Sequence, residues 1–96
     1  MLTGKQKRFL RAKGSTIDAI VYIGKLSIET EIIASLEVAL IARELVKVRV
    51  LPNSPIEQEA AFGILAIESR AELVQVIGRN GLLYRQNSER TIIELP

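Results

Sequence analysis

The residues of this chain that could act on a ligand are mostly cationic. Lys5, Lys7, Arg8, Arg11 and Lys13 place five positive charges within nine positions, with no acid among them. Lys25 follows Gly24 at the end of the apolar run Ile20-Val21-Tyr22-Ile23. Lys47 and Arg49 alternate with valines, and Arg79 and Arg85 come late in the chain. Such side chains neutralise anionic groups on a partner. The glycine adds a second device. Where a strand breaks at glycine just before a helix, backbone can approach closely, free N–H groups point outward, and the helix dipole favours an anion. Gly24-Lys25-Leu26-Ser27 is such a junction.

Other chemistry is excluded by residue type. The chain has no His and no Cys. That removes disulfides, thiolate nucleophiles, the usual zinc ligands and the commonest general base. A zinc enzyme and a Ser-His-Asp hydrolase are ruled out. The carboxylate pair Glu57 and Glu59 lies at a helix start, where capping accounts for it. No catalytic residue, no metal site and no cofactor is therefore expected. The aromatics are Phe9, Tyr22, Phe62 and Tyr84, too few for a platform that stacks a run of bases.

The elements that must position these residues follow from periodicity. Leu2, Gln6, Phe9 and Leu10 share a helical face over Leu2 to Lys13, with Thr3 as N-cap and Gly14 as the stop. Ile20 to Ile23 reads as a buried strand. Ile28, Ile32, Leu36, Ala39 and Leu40 recur at helical spacing, capped by Ser27 or Thr30. Glu29 and Glu31 suit that helix's dipole but crowd the preceding loop with negative charge. Leu45 to Leu51 alternates, with Val46, Val48 and Val50 on one face and Lys47 and Arg49 on the other. Ser54, Pro55 and Glu57 form a capping-box signature for a helix to about Ser69, with Ile56, Ala60, Gly63, Ile64 and Ile67 inward. Leu73–Ile77 and Leu82–Arg85 are strands joined through Gly78-Arg79-Asn80-Gly81, where Asn-Gly marks a hairpin. Thr91 to Leu95 adds a short strand or clasp. The predicted fold is α/β: a single-domain α-β-α-β-α-β-β sandwich with a four-stranded mixed sheet and helices on one face.

The bulk numbers agree with that reading. Ninety-six residues, 48% of them hydrophobic, make one domain over residues 1–96 with one ordinary core. Apolar runs such as Ile64–Ile67 are far shorter than the roughly 20 residues that span a bilayer. The basic N-terminal segment has no apolar stretch after it of the kind a secretory signal carries. A cytoplasmic monomer is expected, with no membrane partner and no small-molecule substrate. The net charge is +2, but residues 1–25 carry six basic residues against Asp18 alone. One positive face on a slightly acidic body points to a polyanion.

Four segments carry a family resemblance across essentially the full length. They are Leu2-Thr3-Gly4-Lys5-Gln6-Lys7-Arg8-Phe9-Leu10-Arg11, Val21-Tyr22-Ile23-Gly24, Glu44-Leu45-Val46-Lys47-Val48-Arg49-Val50, and Val74-Gln75-Val76-Ile77-Gly78-Arg79 with Leu83-Tyr84-Arg85. In order and spacing the chain resembles the CRM domain (chloroplast RNA splicing and ribosome maturation) family, in its stand-alone bacterial YhbY-like form. The resemblance implies binding of structured RNA. Stand-alone bacterial members associate with precursors of the large ribosomal subunit, and plant relatives act in group II intron splicing. It also implies a fold similar to the C-terminal domain of translation initiation factor three. The family's loop is likened to the GxxG loop of KH domains, which clamps nucleic-acid backbone. That loop maps onto Gly24-Lys25-Leu26-Ser27, where Ser27 replaces the second glycine. The literal GxxG, Gly78 to Gly81, reads instead as a tight turn requiring positive φ.

The sequence thus predicts a non-catalytic RNA-binding protein of ribosome assembly, contacting structured ribosomal RNA or a large-subunit precursor. Lys5, Lys7, Arg8, Arg11 and Lys13 would bind phosphates. Gly24, Lys25, Leu26 and Ser27 would dock the backbone, and Lys47, Arg49, Arg79 and Arg85 are secondary contacts. The rival reading is a protein-interaction domain that binds an acidic protein through its basic helix or sheet edge.

Overall fold

A computed structural model describes residues 2–24 and 30–96. The elements are α1 (Gly4–Gly14), β1 (Ala19–Ile23), α2 (Thr30–Arg43), β2 (Leu45–Val50), α3 (Gln58–Ser69), β3 (Glu72–Ile77) and β4 (Asn80–Tyr84). This is the expected α-β-α-β-α-β-β order. The sheet is mixed, in the order β1-β2-β4-β3. β1 and β2 pair in parallel across the α2 crossover, and β4 pairs antiparallel with both β2 and β3.

The alternation in β2 separates two apolar clusters. Val46, Val48 and Val50 join Val21 and Ile23 of β1 beneath α2 and α3, with Leu36, Leu40, Phe62 and Leu65 at the centre. Leu45 points the other way, with Val74, Leu82 and Tyr84, and receives Leu10 of α1. Helices therefore cover both faces, not one. Lys47 and Arg49 make the second face of β2 look wet, but the half of that face nearest Leu45 is apolar. α1 covers that half and leaves the other open.

The α3 region departs from expectation in two ways. The helix begins at Gln58, and Glu57 is its N-cap, accepting from the Glu59 and Ala60 N–H groups at 3.0 and 3.2 Å. Ser54 instead accepts from Ile56 N–H at 3.3 Å, closing a local turn. The inward stripe is Ala61, Phe62, Leu65 and Ser69, while Ile64 and Ile67 face outward at 42% and 77% exposure. Residues 60–67 are apolar or glycine all round, so periodicity left the phase open. Phe62 decides it by filling the space over Gly81. A Cβ added at Gly81 would fall 2.5 Å from the Phe62 ring. Gly81 thus belongs to β4, and the turn is the two-residue Gly78-Arg79, with Gly78 at φ +57° and Ile77 paired with Asn80. Glycine at the first turn position suits a tight hairpin.

Beyond β4 the chain is a clasp rather than a strand. Glu44, the residue after α2, takes φ +64°, a position usually left to glycine. Its N–H donates to Leu40 O and its carbonyl accepts from Arg85 N–H, at 2.8 and 2.9 Å. Its buried carboxylate accepts backbone N–H groups from Asn87 at 2.7 Å, Ile92 at 2.9 Å and Ile93 at 2.6 Å. Ile93 and Leu95 then pack with Leu2, Phe9 and Ile17 against the α1 cluster. Burial alone would raise the Glu44 pKa, but the three donors outweigh it, and the net shift is below the ordinary 4.5.

Two outcomes test this packing. Gly81→Ala should destabilise the fold by about 1–3 kcal/mol in urea unfolding, because the Phe62 ring or β4 must shift to admit the methyl group. Glu44→Gln should cost about 1–3 kcal/mol at pH 7. The folded-state pKa is depressed, so the carboxylate's contribution is complete above the unfolded value. It is lost as pH falls through the folded one. Unfolding measured against pH should therefore show the two proteins converging in acid.

Candidate nucleic-acid interface

The basic helix is built locally and seated by two small contacts. Thr3 Oγ1 accepts from Gln6 N–H at 3.1 Å and Gln6 Oε1 accepts from Thr3 N–H at 3.0 Å, a complete capping box. Leu10 is buried, and Gly14 lies against Leu82 where a Cβ would clash with that side chain. This seating leaves Lys5, Arg8 and Lys13 exposed and Lys7 and Arg11 half-buried. Lys13 Nζ stands 5.7 Å from the centre of the Phe9 ring. Among the described residues none of these five cations is in an ion pair; the pair there is Arg85 with Glu37. The helix has no acid in its first turn, and Arg11 and Lys13 occupy its last. Its positive charge therefore projects outward unneutralised.

The Gly24 junction and the hairpin turn lie at one end of the sheet. Leu51 N–H donates to Ile23 O and Val50 N–H to Arg79 O, both at 2.8 Å. Successive residues at the end of β2 thus tie the two loops side by side. Gly24 is half-buried, and a Cβ there would meet Leu51 at an ordinary 3.6 Å. Lys25, Leu26 and Ser27 lie outside the described residues, as do Ile28 and Glu29.

Lys47 and Arg49 project onto the α1 side of the sheet, since their neighbours Val46, Val48 and Val50 fill the opposite core. Lys47 Nζ donates to Ile17 O at 2.8 Å and so holds the connector between α1 and β1. Arg49 is in register with Tyr22 on one side and Asn80 on the other. The fold brings Lys47, Arg49 and Arg79 toward the side and end of the sheet that α1 and Gly24 occupy. Arg85 is elsewhere: its guanidinium donates to Ser69 O at 2.7 Å and to Glu37 at 3.2 Å, tying α3 to α2 beneath the other face.

β1 is not the fully buried strand its apolar run suggests. Val21 and Ile23 are buried, but Ile20 and Tyr22 are 39% and 52% exposed at the open edge. Sequence reasoning missed Tyr22 because tyrosine among β-branched residues looks like core. A broad hollow of about 870 Å³ between α2 and the tail, lined in part by Arg70, Arg85 and Arg90, lies away from these groups. Among the described residues no group of three or more Asp or Glu side chains is placed to hold a metal ion. No helix there is long and apolar enough to cross a membrane.

Comparison with known proteins bears on this geometry. The CRS1 / YhbY (CRM) domain matches residues 2–85. The chain is 44% identical over 96 residues to "Probable RNA-binding protein YqeI" of Bacillus subtilis, covering all of both chains. It is 33% identical over 95 residues to "RNA-binding protein" of Haemophilus influenzae, covering 99% of this chain and 95% of that one. In structure it is similar to the solution structure of the hypothetical protein SAV1595 from Staphylococcus aureus, with a TM-score of 0.82, 45% identity and full coverage of both chains.

The placement of Arg85 predicts a scaffold phenotype. Arg85→Ala should lower stability by about 1–2 kcal/mol in urea unfolding, since a charge-assisted bond to the last turn of α3 is lost.

Proposed function

The chain belongs to the CRS1 / YhbY (CRM) domain family, and from that premise we propose that it binds structured RNA and assists assembly of the large ribosomal subunit without catalysis. The observation that carries this reading is α1: five cations on one helix, three exposed and two half-buried, none of them in an ion pair among the described residues. RNA is the polyanion that fits, because a phosphate backbone offers charges in series to a row of lysines and arginines. The relatives' names, which describe RNA-binding proteins, support the same partner.

Roles follow from position. Lys5, Lys7, Arg8, Arg11 and Lys13 neutralise phosphates along α1. Gly24 to Ser27 sets the register of the backbone, with Lys25 as its charge. Arg79 is tied through its carbonyl to the end of β2, beside that junction, and supplies a further contact. Lys47 and Arg49 line the surface between. Arg85 serves the scaffold. A precursor of large-subunit ribosomal RNA is the proposed target, recognised by shape and phosphate.

Six neutralised phosphates make affinity steeply salt-dependent. Log K for a large-subunit ribosomal RNA fragment should fall against log salt with a slope of about −4 to −5. Replacing Arg8 and Arg11 together with Gln should make the slope shallower by about 1.5. Filter binding across a salt series measures both, and a wild-type slope near zero would refute the mechanism. Co-purification with an acidic protein that survives RNase treatment would favour the rival, protein-binding reading.

A further inference from the structure

The half of the sheet that α1 leaves uncovered carries a row of side chains unlike the rest of the surface. Tyr22, Arg49, Asn80 and Ile77 are register partners across all four strands, and all lie on the α1 side. Tyr22 is half exposed, and its hydroxyl donates to Ala19 O at 2.9 Å. That tether draws the ring back along β1, and about half of the side chain stays open to solvent. Arg49 stands beside it. Ile77 is 63% exposed at the far edge. Next to the row lies a pocket of about 150 Å³, with Gly14 and Ser15 of the α1 end on one side and Lys47, Gln75, Ile77 and Asn80 on the other. The side chains of Arg49, Gln75 and Asn80 make no hydrogen bond among the described residues. The strand residues of this open half include two cations and no acid.

We propose that this open sheet face holds an unpaired RNA nucleotide, with its base stacked on Tyr22 and Arg49 and its edge read by the carboxamide of Asn80. The inference rests on the RNA-binding reading and goes beyond it, because phosphate contacts at α1 and the loops carry no base information. A planar base fits a tethered ring flanked by a guanidinium, since both offer flat, polarisable faces. A carboxamide supplies one acceptor and two donors, the complement of a base edge. The pocket sets Ile77 and Leu82 beside the polar groups of Ser15, Lys47, Gln75 and Asn80, a mixture that suits a ligand with flat apolar faces and a polar edge. Positive charge without acid suits the attached phosphates. With one exposed ring the face serves one base rather than a run of them.

The test compares wild type, Tyr22→Ala and Tyr22→Phe on two RNAs: an unpaired oligonucleotide of about ten residues and a blunt duplex of the same length. Tyr22→Ala should weaken binding of the unpaired RNA about tenfold, with duplex affinity and salt slope unchanged because no charge is lost. Tyr22→Phe keeps the ring and should stay within about twofold of wild type. An unaltered thermal midpoint shows that the fold is intact. If Tyr22→Ala does not fold, Asn80→Ala should show the same selective loss. Loss of less than about twofold on unpaired RNA, or equal loss on both RNAs, overturns this inference and leaves phosphate binding standing. Wild-type protein that binds neither of these RNAs nor the large-subunit ribosomal RNA fragment overturns the RNA-binding reading itself.

Discussion

One buried carboxylate organises the end of this fold where three segments meet. Glu44 closes α2, starts the turn into β2 and binds three N–H groups of the C-terminal tail. Its left-handed backbone costs on the order of 1 kcal/mol for a residue with a Cβ. Glycine would relieve that strain but would leave the tail's donors without their acceptor. The tail matters because Ile93 and Leu95 complete the apolar cluster that seats α1. Through this chain of contacts a residue in the α2–β2 connection helps to fix the orientation of the basic helix. Tyr84 lies in the same cluster, and burial together with the Glu44 and Glu72 charges pushes its hydroxyl above the ordinary pKa.

The second constraint is the close approach of α3 to β4. Gly81 gives up its side chain so that the Phe62 ring can lie on the strand, and Phe62 then determines which face of a uniformly apolar helix turns inward. A parallel economy holds on the other side, where Gly14 lets α1 rest on Leu82. Because α1 stops there, half of its sheet face remains open. The surface that carries Tyr22, Arg49 and Asn80 is thus a consequence of helix length and one glycine contact. The α1 charges and the open face adjoin because both are bounded by the end of α1.

Much of this was legible in the residues. The Thr3 N-cap, the alternation of Val46, Val48 and Val50, and the Leu36 and Leu40 spacing are local signals, and each led to the right element. The misreadings share a cause. Gly78 to Gly81 contains both Gly-Arg and Asn-Gly, and either can turn a hairpin; pairing of Ile77 with Asn80 selects the first. Ser54-Pro55-Glu57 is a sound helix start by itself, yet Glu57 caps three residues later. Ile64 and Ile67 are more apolar than Ala61, yet Ala61 is inside.

The sequence by itself determined the element order, the mixed sheet and the placement of five cations on one helix, because these depend on periodicity, capping and charge within a few residues. The tertiary structure decided what depends on distant partners: α1 on the opposite face from α2 and α3, the phase of α3 against Gly81, and Arg85 engaged by Glu37 and Ser69. It also brought Gly24 and Arg79 to one end of the sheet, where Val50 N–H donates to Arg79 O and Leu51 N–H to Ile23 O. Those arrangements follow from burial and from hydrogen bonds between residues far apart in the chain, which no local pattern encodes.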